Sequence, residues 1–132
     1  MKQADKTISI TLLGEVPAKK NSRVNTRSGR SFPSRRHTLW HTQAALSVRA
    51  QSGGRVVENP CEISLVFVHG DLRRRDSDNG VSSVFDLLVD CGILKDDDWR
   101  RVRSFSVVNH YQKGKPRCIV EIKEIVEERD AC

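Results

Sequence analysis

The sequence predicts an α+β domain in which two main helices pack on a small mixed β-sheet, in the element order β-α-β-α-β-β. Four segments carry strand-like apolar patterns, and two others carry apolar residues at helical spacing. Glycine or proline stands near the ends of most of these segments. At 132 residues the chain is long enough for one domain with a core and too short for two. We therefore predict a single domain over residues 1–132, with a basic loop at 17–36 and a C-terminal tail at 126–132.

The first strand is predicted from Thr7 to Leu12, where apolar and polar side chains alternate with a period of two. Gly14 and Pro17 end it. A polar, basic segment without periodicity follows over residues 18–33. Because such a loop is long for a compact domain, we expect it to be functional or mobile.

The first helix is predicted from about Arg35 to Gln51, with Ser34 as its N-terminal cap and a Gly-Gly pair after its end. Its apolar stripe is weak and consists of Leu39, Trp40, Ala44, Leu46 and Ala50.

The second half of the chain has clearer patterns. A strand is predicted from Glu62 to His69, with apolar residues on both faces. The next segment is the clearest helix, because its apolar residues recur at i, i+3, i+4 and i+7 (Val81, Val84, Phe85, Leu88), and Gly92 stops it. The last strands, Val102 to Tyr111 and Arg117 to Ile125, are expected to form a hairpin through residues 112–116.

Composition narrows the function classes. Residues 1–57 carry eleven Lys or Arg against two acids, whereas residues 58–103 carry ten acids against seven bases. This charge distribution suits an enzyme that holds a polyanion over a metal site, and ordinary surface charge that keeps the protein soluble is the alternative.

No stretch approaches the roughly 20 apolar residues of a membrane span, and no signal peptide is recognisable, so a cytoplasmic address is expected. The four cysteines lack C-x-x-C spacing, which favours free thiols.

Asp76-Ser77-Asp78-Asn79 follows directly after Arg73-Arg74-Arg75, between the second predicted strand and the second helix. Carboxylates one residue apart suit a hard cation such as Mg²⁺ or Mn²⁺, and the neighbouring arginines suit an anion. A phosphodiester satisfies both demands. The alternative is that Ser77 or Asp78 merely caps the helix.

This region resembles the RusA-type Holliday junction resolvases. The motifs that carry the resemblance are the run 73–79, then Phe85-Asp86-Leu87-Leu88, then Gly92-Ile93-Leu94-Lys95-Asp96-Asp97, and the likeness spans roughly residues 8–125. It implies that Asp76, Asp78 and Asp97 are catalytic carboxylates that bind Mg²⁺ or Mn²⁺ and activate water. It further implies a homodimeric, metal-dependent endonuclease that resolves four-way junctions in DNA recombination and repair. A bacterial or prophage origin, branched DNA as partner and no nucleotide cofactor are also implied.

One departure from the family concerns a lysine one turn into the helix, where this chain has Ser82. Three hypotheses remain: another base such as Lys95 or Arg75 substitutes, catalysis is weak, or the protein binds junctions without cutting them. A small RNA- or single-strand-binding module is a further alternative, and the low aromatic content of 5% disfavours it.

The candidate DNA contacts are the basic side chains of the loop and of the run before Asp76, with Asn21 added by its placement: Lys19, Lys20, Asn21, Arg23, Arg27, Arg30, Arg35, Arg36, Arg73, Arg74 and Arg75. Asp97 follows a helix that is about 20 Å long, so the segment before it must either fold back towards Asp76 or place Asp97 in the site of the partner subunit.

His37 and His41 have zinc-ligand spacing without a third ligand nearby, and we expect them at the surface or facing DNA.

Overall fold

The computed structural model describes residues 7–18, 23–25, 29 and 31–125. Its elements are strands β1 (Thr7–Leu13), β2 (Arg23–Asn25) and β3 (Ser31–Pro33), helix α1 (Arg35–Ser52), strand β4 (Cys61–His69), helix α2 (Val81–Asp90), and strands β5 (Val102–Tyr111) and β6 (Arg117–Glu124). The predicted α+β class and the order of the six main elements are confirmed. Within the segment predicted as an irregular loop, β2 and β3 pair as a short antiparallel ribbon.

The four-stranded sheet has the order β1-β6-β4-β5. β6 pairs antiparallel with both β1 and β4, whereas β5 runs parallel to β4. The predicted hairpin of the last two strands is therefore wrong, because they lie on opposite sides of β4.

The connection between β5 and β6 crosses the end of β4. Gln112 N donates a hydrogen bond to His69 O and Gly114 N donates to Gly70 O, both at 2.9 Å. Gly70 permits this crossing, since a Cβ there would lie 2.8 Å from Pro116 Cδ. The turn signals at 112–116 were recognisable in the sequence, but this close passage over the neighbouring strand depends on a distant glycine.

The hydrophobic core lies between one face of the sheet and the two helices. Along β1, Ile8, Ile10 and Leu12 are buried and alternate with exposed or half-buried side chains, as the period of two predicts. β4 repeats the pattern with Ile63 and Leu65. The cluster is completed by side chains from β6 and α2: Val120, Ile122, Val84, Leu87 and Leu88. The second face of β4, which we predicted to be covered, is buried only at Val68, while Glu62 and Ser64 are exposed.

α1 begins after the N-cap Ser34, whose Oγ accepts a hydrogen bond from His37 N, as predicted. Of its predicted stripe, Trp40 and Ala44 are buried, but Leu39, Leu46 and Ala50 are exposed. The buried stripe instead also includes His37, Ala45, Val48 and Ser52. Among the described residues, no helix has the length and apolar content needed to cross a membrane.

Candidate active site

The acidic turn connects the C-terminal end of β4 to the start of α2. Asn79 N donates to Asp76 O at 3.1 Å and Val81 N donates to Asp78 O at 3.2 Å, so residues 76–81 form successive tight turns. α2 begins at Val81, and its N-cap is Gly80, without a side-chain capping bond. The alternative in which Ser77 or Asp78 merely caps the helix is therefore wrong.

The start of α2 is pressed against the end of β4. A Cβ at Gly80 would lie 2.8 Å from Phe67 Cε1 and 3.0 Å from Val16 Cγ1. Ser83 Oγ, in the first turn of α2, donates to Pro17 O at 2.7 Å. These contacts hold the acidic turn against β4 and the segment that follows β1.

The carboxylates of Asp76 and Asp78 are exposed, and within the described residues neither takes part in a hydrogen bond or an ion pair. Most neighbouring acids are instead paired with a basic side chain. The paired acids are Glu15 with His69, Glu58 with Lys95, Asp71 with Arg75, Asp90 with His41, and Asp98 with Arg100. Asp76 and Asp78 are thus available to a ligand from solution.

A cleft lies beside Asp76, and residues distant in sequence form its walls. Glu15, Arg36, Arg73 and Asn109 line it together with the acidic turn. Two of these side chains are cationic, so the cleft offers positive charge next to an unpaired carboxylate. Such a combination can hold a phosphate group near a cation.

A polar network stabilises one wall of the cleft. His69 Nδ1 lies 2.6 Å from Glu15 Oε2, and His69 Nε2 lies 2.8 Å from Asn109 Oδ1. Arg75 Nε approaches the same Glu15 oxygen at 3.4 Å. Glu15, His69 and Asn109 were not predicted from the sequence, because they come from three separate segments and none belongs to the acidic motif.

Arg75 also donates to Asp71 Oδ1 at 2.9 Å, and little of its side chain is exposed. The backbone N–H of Arg73 and the Arg75 guanidinium lower the pKa of Asp71 below its ordinary value. Asp71 therefore remains an ionised partner of Arg75. In this structure Arg75 orders residues 71–75, whereas we had expected it to face DNA.

The other predicted DNA contacts fall into two groups. Arg35, Arg36, Arg73 and Arg74 are exposed. Lys19, Lys20, Asn21, Arg27 and Arg30 lie outside the described residues, and for Arg23 only the backbone in β2 is described.

The second acidic cluster, Asp96 to Asp98, lies near the opposite end of β4. Cys61 N, at the start of β4, donates to Arg101 O at 2.8 Å, whereas Asp76 follows the end of that strand. Arg100 forms a hydrogen-bonded ion pair with Asp98, and this pairing lowers the pKa of the Asp98 carboxyl. Asp97 is exposed. Within the described part of the chain, no three His, Cys, Asp or Glu residues are grouped closely enough to hold a metal. One chain therefore does not bring Asp97 together with Asp76 and Asp78.

Lys95, a possible substitute for the family lysine, also lies towards this far end. Its Nζ is 2.9 Å from Glu58 Oε1. Ser82 itself is exposed on the first turn of α2. Neither Lys95 nor the internally paired Arg75 therefore offers a free positive charge beside Asp76 in the single chain.

The two histidines of α1 have structural contacts. His37 is buried, 3.5 Å from Ser83 Oγ, so the expectation that it lies at the surface is wrong. His41 Nε2 lies 3.0 Å from Asp90 Oδ2.

Three of the four cysteines are described, and all three are free thiols, as expected. Burial raises the pKa of the Cys61 thiol to about 11 and that of the Cys118 thiol to about 12.

Exposed carboxylates beside a cationic cleft, on a small α+β domain, characterise a protein that acts on a polyanion. A family model described as endodeoxyribonuclease RusA matches residues 14–123. Because this match covers most of the chain, the chain belongs to the RusA family of endodeoxyribonucleases. It is similar to the crossover junction endodeoxyribonuclease RusA of Aquifex aeolicus, with 26% identity over 112 residues that cover 84% of this chain and 87% of the relative. The resemblance found in the motifs is confirmed, and family membership supports nuclease activity on DNA.

Proposed function

We propose that the chain is a metal-dependent, structure-selective endonuclease that hydrolyses phosphodiesters at four-way DNA junctions in recombination and repair. The pair Asp76 and Asp78 carries this proposal, because both carboxylates are exposed and unpaired within the described residues and Asp76 lines a cationic cleft. Family membership supports the nuclease class. The name of the Aquifex aeolicus relative supports a crossover junction as the substrate. A cytoplasmic address and a bacterial or prophage origin remain predictions.

The donor set fits Mg²⁺ or Mn²⁺. Both ions prefer oxygen ligands, and Mg²⁺ commonly keeps several waters while one or two carboxylates bind it. Asp76 and Asp78 would be the ligands from one chain. The ion, when bound, supplies a lowered water pKa and positive charge that offsets the charge of the transition state.

The remaining residues of the cleft have roles that follow from their contacts. Arg36 and Arg73, whose side chains are exposed, contact the phosphodiester. Arg75 positions the backbone before Asp76 through Asp71 and Glu15. The exposed Arg35 and Arg74 and the basic segment 19–30 extend the contact along the DNA backbone, which gives affinity without sequence preference.

Asp97 completes the centre from the partner subunit of a homodimer. Two findings support this arrangement over folding back within one chain. Asp97 and Asp76 lie near opposite ends of β4, and the described part of one chain holds no group of three potential metal ligands. A four-way junction also needs two cuts related by a two-fold axis, which a symmetric dimer provides.

A second candidate function is junction binding without cleavage. It is favoured by Ser82, because the first turn of α2 lacks the family's cationic side chain and Lys95 and Arg75 are engaged by acids. Both functions predict salt-sensitive binding to junctions, but only the first predicts nicked product.

The test compares wild type with Asp76→Asn on a labelled four-way junction, with Mg²⁺ and with Mn²⁺. We expect wild type to nick the junction and Asp76→Asn to lose at least about a hundredfold in rate, since it removes a metal ligand. Fluorescence anisotropy should show that both bind the junction. Asp90→Asn is the matched control: it is an exposed acid whose partner is His41, and its nicking rate should stay at the wild-type level.

Equal cutting by wild type and Asp76→Asn would show that Asp76 is not an essential ligand. Tight junction binding by both, with no nicking in either metal, would select the non-catalytic function. Chelation with EDTA adds an independent readout, because a metal-dependent nuclease must stop cutting when the metal is removed.

A further inference from the structure

The first turns of the two helices meet beside the cleft. Ser83 Oγ, in the first turn of α2, donates to Pro17 O at 2.7 Å and lies 3.5 Å from His37 Nε2, in the first turn of α1. His37 and Ser83 are both buried, so this contact fixes how the two turns lie against each other. Arg36 and Ser82 immediately precede these residues, and both are exposed. The fold therefore carries Arg36 to the start of α2, although the two lie far apart in the sequence.

The first turn of α2 has no positive charge of its own. Residues 81–84 read Val-Ser-Ser-Val and contain no charged side chain, although this turn follows directly after the acidic turn. A positive charge is useful here, because hydrolysis of a phosphodiester builds negative charge on the phosphate oxygens in the transition state. Such a charge has to come from outside α2.

Among the described residues, four side chains that can carry positive charge line the cleft beside Asp76: Arg36, His69, Arg73 and Arg75. His69 and Arg75 are both paired with Glu15. The side chains of Arg36 and Arg73 take part in no hydrogen bond or ion pair within the described part of the chain. These two arginines are therefore the ones that can turn towards a phosphate without first breaking an internal contact.

Arg36 differs from Arg73 in what holds its backbone. It lies in the first turn of an 18-residue helix whose N-cap, Ser34, is hydrogen-bonded, and the residue after it is buried against α2. Arg73 lies between β4 and α2, outside any helix or strand. Side chains on regular elements are held more precisely than those on loops, and a charge stabilises a transition state best when it is already in place. Arg36 is thus the better placed of the two to act in the reaction itself.

We propose that Arg36 is a catalytic residue, whose guanidinium donates to a non-bridging oxygen of the scissile phosphate and stabilises the negative charge that develops there. A planar guanidinium can donate two parallel hydrogen bonds to a phosphate, which fixes orientation as well as charge. Arg73 then serves mainly to bind the substrate. The proposal rests on the proposed function and goes further, because it separates the cation that accelerates hydrolysis from those that only hold DNA.

The role of Arg36 in the bond changes is electrostatic. The water oxygen forms a bond to phosphorus while the bond from phosphorus to the deoxyribose oxygen breaks. The water loses one proton to solvent and the leaving oxygen gains one. Arg36 keeps its protons throughout, because a guanidinium is not deprotonated in proteins.

The first test separates the rate of nicking from binding. Arg36→Gln keeps a long polar side chain and removes the charge. With Mg²⁺ or Mn²⁺, its single-turnover nicking rate at saturating protein should fall about a hundredfold or more, as for the loss of other donors to a transition state. Its dissociation constant for the junction, measured by fluorescence anisotropy, should rise less than about fivefold, because other phosphate contacts remain. Circular dichroism checks that the variant is folded.

Arg49→Gln is the matched control. Arg49 is an exposed arginine in the last turn of the same helix, so its substitution should leave both the rate and the binding at the wild-type level. Arg73→Gln should weaken binding and keep nearly the full rate at saturation. An Arg36→Gln protein that nicks at the wild-type rate when saturated would overturn the proposal. So would a larger loss of saturated rate in Arg73→Gln than in Arg36→Gln.

The second test moves the charge to the neighbouring turn. Ser82→Lys, added to Arg36→Gln, should recover at least about tenfold of the lost rate. The gain should be larger than the gain from Ser82→Lys in wild type, because two charges that act on one phosphate partly replace each other. Ser82→Gln in the same background is the neutral control. No recovery with lysine, or the same recovery with glutamine, would show that Arg36 does not act through its charge.

Failure of this proposal is distinct from failure of the proposed function. A wild type that binds the junction but nicks it with neither metal would remove the nuclease and the role of Arg36 together. A wild type that nicks no faster than saturated Arg36→Gln would leave the nuclease in place and remove only the role of Arg36.

Discussion

At the scale of single residues, the pairing state of the carboxylates distinguishes the site. Asp71 and Asp98 are each held by an arginine and serve the local structure. Within the described residues, the carboxylates of Asp76, Asp78 and Asp97 take part in no ion pair or hydrogen bond. Unpaired carboxylates at a surface cost little, and they are the form in which an oxygen ligand is ready for a metal.

Ser82 gives the first prediction at this scale. It is exposed on the first turn of α2, so a longer side chain can be accommodated there. Ser82→Lys should raise the rate of junction nicking at least about tenfold, because a preorganised positive charge stabilises the developing charge of the transition state. Single-turnover nicking at saturating protein measures this effect without a contribution from binding.

The matched control is Ser82→Gln, which has a long, polar but neutral side chain. A similar gain for both variants would assign the effect to contact with DNA rather than to charge. No gain for the lysine variant would mean that the missing charge does not limit the reaction.

At the scale of elements, two glycines allow close approaches that position the site. Gly70 lets the connection to β6 cross the end of β4, and Gly80 lets α2 begin against Phe67 and Val16. Gly80 has φ of −94°, which any residue can adopt. Its requirement for glycine is therefore steric and not conformational.

Gly80→Ala is accordingly predicted to lower the free energy of unfolding by about 1–3 kcal/mol, since the added Cβ would meet Phe67 at 2.8 Å. Urea denaturation followed by circular dichroism measures the change. Ser82→Ala, at an exposed position two residues later in the same helix, should stay within about 0.5 kcal/mol of wild type. Equal stability of Gly80→Ala and wild type would show that Phe67 and Val16 move aside without cost.

At the scale of the whole molecule, the two helices cover one face of the sheet, and within the described residues β5 has a strand neighbour on one side only. At the other edge, the Gln51 side chain of α1 exchanges two hydrogen bonds with the backbone of Thr11 in β1. The two acidic segments lie near opposite ends of β4, so the proposed site needs Asp97 from a second subunit.

Subunit mixing tests this arrangement. Asp76→Asn and Asp97→Asn should each be inactive alone. When the two proteins are mixed and allowed to exchange subunits, a site shared between subunits becomes intact in half of the mixed dimer's sites, so nicking should return to a measurable fraction of the wild-type rate. Sites contained in one chain would stay inactive in every mixture. A covalently tethered wild-type dimer serves as the positive control.

Much of the fold was predictable because its signals are local. Residues close together in sequence produce these signals. Examples are the alternation of buried side chains in β1, the apolar stripe of α2 and the N-terminal cap at Ser34, and together such local signals give the order of the six main elements. The acidic motif was recognisable for the same reason, since Asp76 and Asp78 lie one residue apart.

The pairing of the last strands was not predictable in this way. A hairpin is the ordinary outcome for two strands joined by a short turn, and residues 112–116 carry the turn signals. The chain instead crosses β4, because Gly70 leaves room for Pro116 and because β4 can accept a parallel strand on one side and an antiparallel strand on the other. That choice depends on a contact between residues 46 positions apart.

The sequence by itself therefore determined the class of the domain, its family and the acidic motif that is proposed as its centre, because periodicity and motif spacing are short-range properties. Only the tertiary structure decided which of these groups meet. It buried His37, engaged Arg75 and Lys95 with acids, built a cleft wall from Glu15, His69 and Asn109, and separated Asp97 from Asp76. Each of these outcomes depends on which strands become neighbours and at which end a connection arrives, and long-range packing controls both.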